Sequence, residues 1–115
     1  MSLDVELVSL ISPTAYVSTS AEIAKGVNVM HQALININAK IGENTIINSQ
    51  SLVEHDSSIG SHCHISTGVK INGGVKIGNN TFIGSGTIIH EGMTIGSDVI
   101  VGAGSIIDRN LPNDT

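Results

Sequence analysis

With 115 residues the chain has room for one domain and one core, and 2% aromatic against 40% hydrophobic content means a core of small aliphatic side chains. A net charge of −5 argues against nucleic acid as the main partner, because phosphate binding needs clustered Lys and Arg. No apolar run approaches the roughly 20 residues of a membrane-spanning helix, no signal-peptide pattern opens the chain, and the lone Cys63 forms no internal disulfide, so a cytoplasmic protein without a membrane partner is expected.

In chain order, a leader over residues 1–10 precedes a repeat domain over 11–110 and a tail over 111–115. From Ile11 to Ile107 every sixth residue is Ile or Val, without insertion. Two residues before each stands a mostly small side chain, such as Ala33, Thr45, Ser57 and Cys63. In extended chain, residues i and i−2 point the same way, so each hexad is a short strand with two inward side chains, followed by a corner. That periodicity predicts an all-β fold, a parallel β-helix.

A second period overlies the first. Gly42, Gly60, Gly78 and Gly96 are spaced by 18, and each opens a corner whose third residue is Asn44, His62, Asn80 or Asp98. Asn, Asp and His tolerate the left-handed backbone of a tight corner. Three hexads thus make one triangular coil, and the chain holds about five.

The outward strand positions distinguish three faces. One carries Glu22, Lys40, Ser58, Lys76 and Thr94 and is a solvated, polar face. A second carries Leu10, Asn28, Ile46, His64, Phe82 and Ile100, here called the His64 face. The third carries Tyr16, Leu34, Leu52, Lys70, Ile88 and Ile106, the Lys70 face. Two faces this apolar predict burial against other copies. Contact through two different faces is head-to-tail and closes into a ring, so a homotrimer is expected.

Among the histidines, His62 fills a corner slot taken elsewhere by Asn or Asp and reads as structural. His31 and His90 are corner residues without evident partners. His55 lies mid-corner in Glu54-His55-Asp56, between carboxylates that can orient an imidazole and raise its basicity, as a general base requires. Asp56 also fits a plain left-handed corner residue in one stack with Asn38 and Asn110, which accounts for Asp56 but not for the histidine. His64 points outward between Ile46 and Phe82, either as an interface hydrogen-bonder or as a ligand contact.

The run Ile46-Ile47-Asn48 through Glu54-His55-Asp56 resembles the IIN…EHD motif of bacterial sialic acid O-acetyltransferases and nucleotide-sugar N-acetyltransferases, including those acting on UDP-linked 4-amino-sugars. The spacing continues through Ile59-Gly60, His64-Ile65, Gly73-Gly74-Val75-Lys76-Ile77-Gly78, Phe82-Ile83-Gly84 and Val101-Gly102-Ala103-Gly104, over about residues 11–112. The resemblance implies a left-handed coil and acetyl-CoA as donor, and the histidine spacings give no metal site. It further implies His55 as catalytic base, Asp56 as the acid that increases its basicity, and Asn48 near a sugar or nucleotide-sugar acceptor. His64 and the backbone at Ser85 and Ala103 would contact acetyl-CoA. Direct transfer follows, because Cys63 takes an inward slot unsuited to a covalent intermediate. With His64 on an interface face, each site is expected to be shared between two subunits. Members of this family usually carry an N-terminal nucleotide-sugar-binding domain, so the chain reads either as the β-helix part alone or as a stand-alone relative that finds its acceptor differently. A metalloenzyme on the same fold would need three converging histidines, a spacing that His31, His55, His62, His64 and His90 do not give. A non-catalytic trimeric scaffold is the remaining rival.

Overall fold

The computed structural model describes residues 8–115, so residues 1–7 of the expected leader lie outside it. Seventeen two-residue strands, from Leu10–Ile11 to Ile106–Ile107, follow the hexads, and no helix occurs among the described residues. Each strand pairs in parallel with the strand 18 residues away, for example His64 with Ile46 on one side and Phe82 on the other. The result is two six-stranded sheets and one of five, wound as a parallel β-helix of about five turns. The architecture is consistent with the left-handed coil the resemblance implies. The sheets coincide with the three faces read from the hexads.

The interior is a column of Ile and Val at the sixth positions, with Val53, Ile65, Ile71 and Ile89 fully buried. Small polar residues share that interior because each hydroxyl finds a carbonyl on the next coil. Thr45 donates to Gly60 O at 2.8 Å, Ser51 to Ser66 O at 2.7 Å and Ser57 to Asn72 O at 2.8 Å. Among the described residues no buried side-chain polar atom lacks a partner, which removes the cost of burying hydroxyls.

Corner residues adopt the left-handed backbone as expected. Asn44, His62, Asn80 and Asp98 have φ of 57°, 58°, 53° and 58°, and Gln32 and Gln50 join them at 59°. Asn110 does not, contrary to its expected place in the stack of Asp56. The chain shortens by two residues there, so that Leu111 bridges Ile95, sixteen positions back, and Asp114 takes the left-handed slot at φ 61°. Leu111 packs against the core and Asn113 Oδ1 accepts from Ser97 N at 2.8 Å. His31, expected to have no partner, bonds Ser12 Oγ through Nδ1 at 2.6 Å.

Exposed large side chains cluster on the two faces expected to be apolar. Leu10, Phe82 and Ile100 stand out on the His64 face, and Tyr16, Ile88 and Ile106 on the Lys70 face, with Ile100 74% exposed.

Candidate functional site

His55 sits at the edge where the Lys70 face turns into the polar face. Its corner forms because Asp56 adopts φ 61°, a conformation short polar side chains tolerate. Asp56 Oδ2 lies 3.1 Å from His55 Nδ1. A carboxylate only accepts, so Nδ1 carries a proton, and in the neutral ring Nε2 is then the acceptor nitrogen. The pair is solvent-exposed, with side chains 51% and 60% accessible, so its contribution is orientation of the ring more than binding energy. Glu54, the other flanking carboxylate, does not touch the imidazole. Its Oε2 accepts from His55 N and from Asn36 Nδ2, each at 3.1 Å, and so ties two coils together. A cleft beside His55 is lined by Glu54, Asn72, Gly73, His90, Glu91 and Met93.

A second cluster forms on the His64 face. The His64 ring meets Phe82 edge-on, with centroids 5.4 Å apart and planes at 84°, and Asn48 Nδ2 lies 3.4 Å from His64 Nε2. Asn48 and His64, placed by the resemblance in the acceptor and donor regions respectively, are thus in contact. They also border an apolar groove lined by Leu10, Met30 and Ile46.

Ser85 and Ala103 stack in adjacent coils at the edge between the His64 and Lys70 faces, where Gly104 N donates to Ser85 O at 2.8 Å. Their own N–H groups lack an acceptor among the described residues, as do those of His31 and Thr67 at other levels of the same column. In the same column Asn48 Oδ1 caps the N–H of Ser49 at 2.7 Å. Gly84 and Gly102, standing where Asn48 stands, have no side chain to do so. Among the described residues no group accepts from the N–H of Ser85 or Ala103. A Cβ at Gly86, Gly102 or Gly104 would meet nothing within 4 Å, so these corners are open to a ligand acceptor group. The uncapped amides were not foreseen from the sequence, although glycine replacing a capping Asn in the column was visible.

Within one chain, the Lys70 face separates the His55 edge from the Ser85–Ala103 edge. The chain brings His55 together with Asp56, and Asn48 with His64, but does not bring those pairs together. Cys63 is 2% exposed and its Sγ lies 3.0 Å from Gly78 O. Burial pushes its thiol pKa up, which suits an inert interior residue.

The family model described as bacterial transferase hexapeptide (six repeats) matches residues 38–73 and 74–109. A variant of the perosamine N-acetyltransferase of Caulobacter crescentus, in complex with CoA and GDP-perosamine, is 41% identical with a TM-score of 0.93, covering 94% of this chain and 51% of that one. The acetyltransferase domain of PglB from Neisseria gonorrhoeae, in complex with acetyl coenzyme A, is 34% identical with a TM-score of 0.95, covering 96% of this chain and 54% of that one. A UDP-N-acetylglucosamine acyltransferase from Francisella novicida shares the fold, at 24% identity, a TM-score of 0.86 and coverage of 90% and 46%. This chain therefore spans about half the length of these solved relatives. No curated protein sequence matches it.

Proposed function

The chain belongs to the bacterial transferase hexapeptide family, and on that premise we propose that it is the β-helix part of an acetyltransferase that transfers acetyl from acetyl-CoA to a sugar or nucleotide-sugar hydroxyl or amine. The observation that carries this reading is the bond of His55 Nδ1 to Asp56 at 3.1 Å beside an open cleft, a pairing that in the neutral ring assigns the proton to Nδ1 and the acceptor role to Nε2. The bound ligands of the similar structures, CoA with GDP-perosamine in one and acetyl coenzyme A in the other, support the donor and the acceptor class.

In this mechanism His55 Nε2 accepts the proton of the acceptor hydroxyl or amine as that atom attacks the thioester carbonyl. The new acyl bond forms, the carbon–sulfur bond breaks, and the proton passes from Nε2 to the departing sulfur. A positioned base of this kind contributes on the order of 10²–10⁴ in rate. Asp56 holds the ring in the required tautomer. Backbone N–H groups are suited to the developing oxyanion. The uncapped amides of Ser85 and Ala103, with His64, would hold acetyl-CoA, and Asn48 would lie near the acceptor.

Because the base and donor contacts occupy different edges of one chain, the site is completed between copies. A homotrimer pairing the His64 face of one copy with the Lys70 face of the next supplies that arrangement and covers both apolar faces. No helix among the described residues is long and apolar enough to cross a membrane. We place the protein in the cytoplasm.

Calorimetric titration of acetyl-CoA, with coenzyme A and a His64→Ala variant as comparisons, tests the donor half. Binding near one molecule per chain, weakened about tenfold by the substitution (about 1.4 kcal/mol), is expected. The absence of heat up to millimolar ligand would leave a scaffold. For the base, His55→Ala should bind acetyl-CoA normally and lose transfer, and full transfer by that variant would overturn the mechanism.

A further inference from the structure

Gly73 stands directly above His55 in the corner column, one coil along. At the neighbouring levels of that column the corresponding residues are Thr19, Ile37, His55 itself and Glu91, so the bare position is Gly73. The backbone does not require glycine there. Gly73 lies outside the left-handed region, and the turn is made by Gly74 at φ 68°, so any L-residue would fit the conformation. Yet Gly73 is buried in a surface corner. What covers it is the imidazole: a Cβ at residue 73 would fall 2.6 Å from His55 Nε2, 2.7 Å from Cε1 and 3.3 Å from Cδ2. The first two distances are far below van der Waals contact and the third is tight.

We propose that Gly73 is a positioning residue for His55, its missing side chain being the seat on which the imidazole rests. The inference takes from the proposed function that His55 is the base. The ring is held at two places. Asp56 fixes Nδ1, and the bare backbone of Gly73 supports the ring at its Nε2–Cε1 edge. A methyl group at 73 pushes the ring outward, lengthens the Nδ1 bond to Asp56 and moves Nε2 away from its place. The displacement needed to relieve a 2.6 Å contact is close to 1 Å, and misplacement of that order costs about 10²-fold in rate.

Gly73→Ala tests this in three readouts. In long-range proton–nitrogen spectra, with the His55 signals identified by their loss in His55→Ala, the wild-type ring is expected as the Nδ1-protonated tautomer. In Gly73→Ala it should become a mixture of tautomers. In thermal melts Gly73→Ala should lower the midpoint in the wild-type background. It should leave the midpoint unchanged or raise it beside His55→Ala, where the clash is gone and alanine stiffens the unfolded chain. In transfer assays with a nucleotide-linked amino sugar, kcat should fall roughly 10- to 100-fold while the KM for acetyl-CoA stays within about twofold. An unchanged tautomer, or equal destabilisation in both backgrounds, overturns the proposal. Should Gly73→Ala not fold alone, folding of the double variant supports the seat, and failure of both refutes it. Wild-type protein without transfer activity would sink the functional reading, while spectrum and melts would still decide on Gly73.

Discussion

Asp56 accepts from His55 Nδ1 at 3.1 Å while its own backbone holds φ 61°, so one residue both turns the corner and orients the ring. The two roles separate by substitution. Asn38 fills the same slot one coil earlier at φ 59°, which shows that asparagine satisfies the backbone. Asp56→Asn should therefore keep its melting midpoint within a few degrees. Replacing the carboxylate removes the acceptor-only partner that selects the Nδ1 tautomer, and kcat should fall roughly 10- to 100-fold with the KM for acetyl-CoA little changed. Steady-state kinetics beside a melting curve checks both halves.

Ser85 occupies the second position of a corner whose third, Gly86, has φ 71° and whose closing bond runs from Thr87 N to Gly84 O at 3.3 Å. Proline is common at that second position. Ser85→Pro should fold normally while losing the uncapped N–H. Acetyl-CoA should then bind about tenfold more weakly, the loss of one hydrogen bond near 1.4 kcal/mol. Calorimetry with unchanged affinity would remove the Ser85 amide from the donor site.

Inside the coil, Thr81 Oγ1 donates to Gly96 O at 2.9 Å and accepts from Val99 N at 3.3 Å. Thr81→Val keeps the shape but strands both backbone groups in a dry interior. Urea unfolding should show a loss of about 1–3 kcal/mol, and Thr81→Ser, which keeps the hydroxyl, should lose less.

Cys63 is buried and its thiol is raised by that burial. Since the thiolate is the reactive form, alkylation by iodoacetamide at neutral pH should be undetectable in native protein and complete in urea. Transfer activity should survive the native treatment. Rapid native labelling would contradict the inward placement.

Much of the fold was legible because its geometry is strictly periodic. Once Ile11 and its successors set the six-residue step, the faces of His64 and Lys70 and the left-handed slots of Asn44 and His62 followed from counting. The same counting misplaced Asn110, since a periodic rule carries no information about where the period breaks. The break had a sign of its own: Leu111-Pro112-Asn113-Asp114 repeats the logic of Ile95-Gly96-Ser97-Asp98, an inward aliphatic followed by a corner ending in Asp. For the site, the pairing of His55 with Asp56 was legible because the two are adjacent in sequence. The turning of Glu54 to Asn36 rather than to the imidazole, the contact between Asn48 and His64, and the bare surface of Gly73 under the imidazole were not. Each depends on which way a side chain leans across coils, and spacing does not determine that.

The stacking of corners also makes the molecule a ruler. Up to the break before Leu111, a residue's remainder on division by 18 names the edge it occupies, and the quotient names its height, in steps of about 4.8 Å. Along any one edge, a functional group is displaced only in whole steps. Groups on separate edges, such as the proposed base and donor contacts, can therefore be shifted relative to one another without disturbing either. A longer or shorter acceptor could be accommodated by moving a histidine 18 positions, with the corner geometry that presents it already built at the new height.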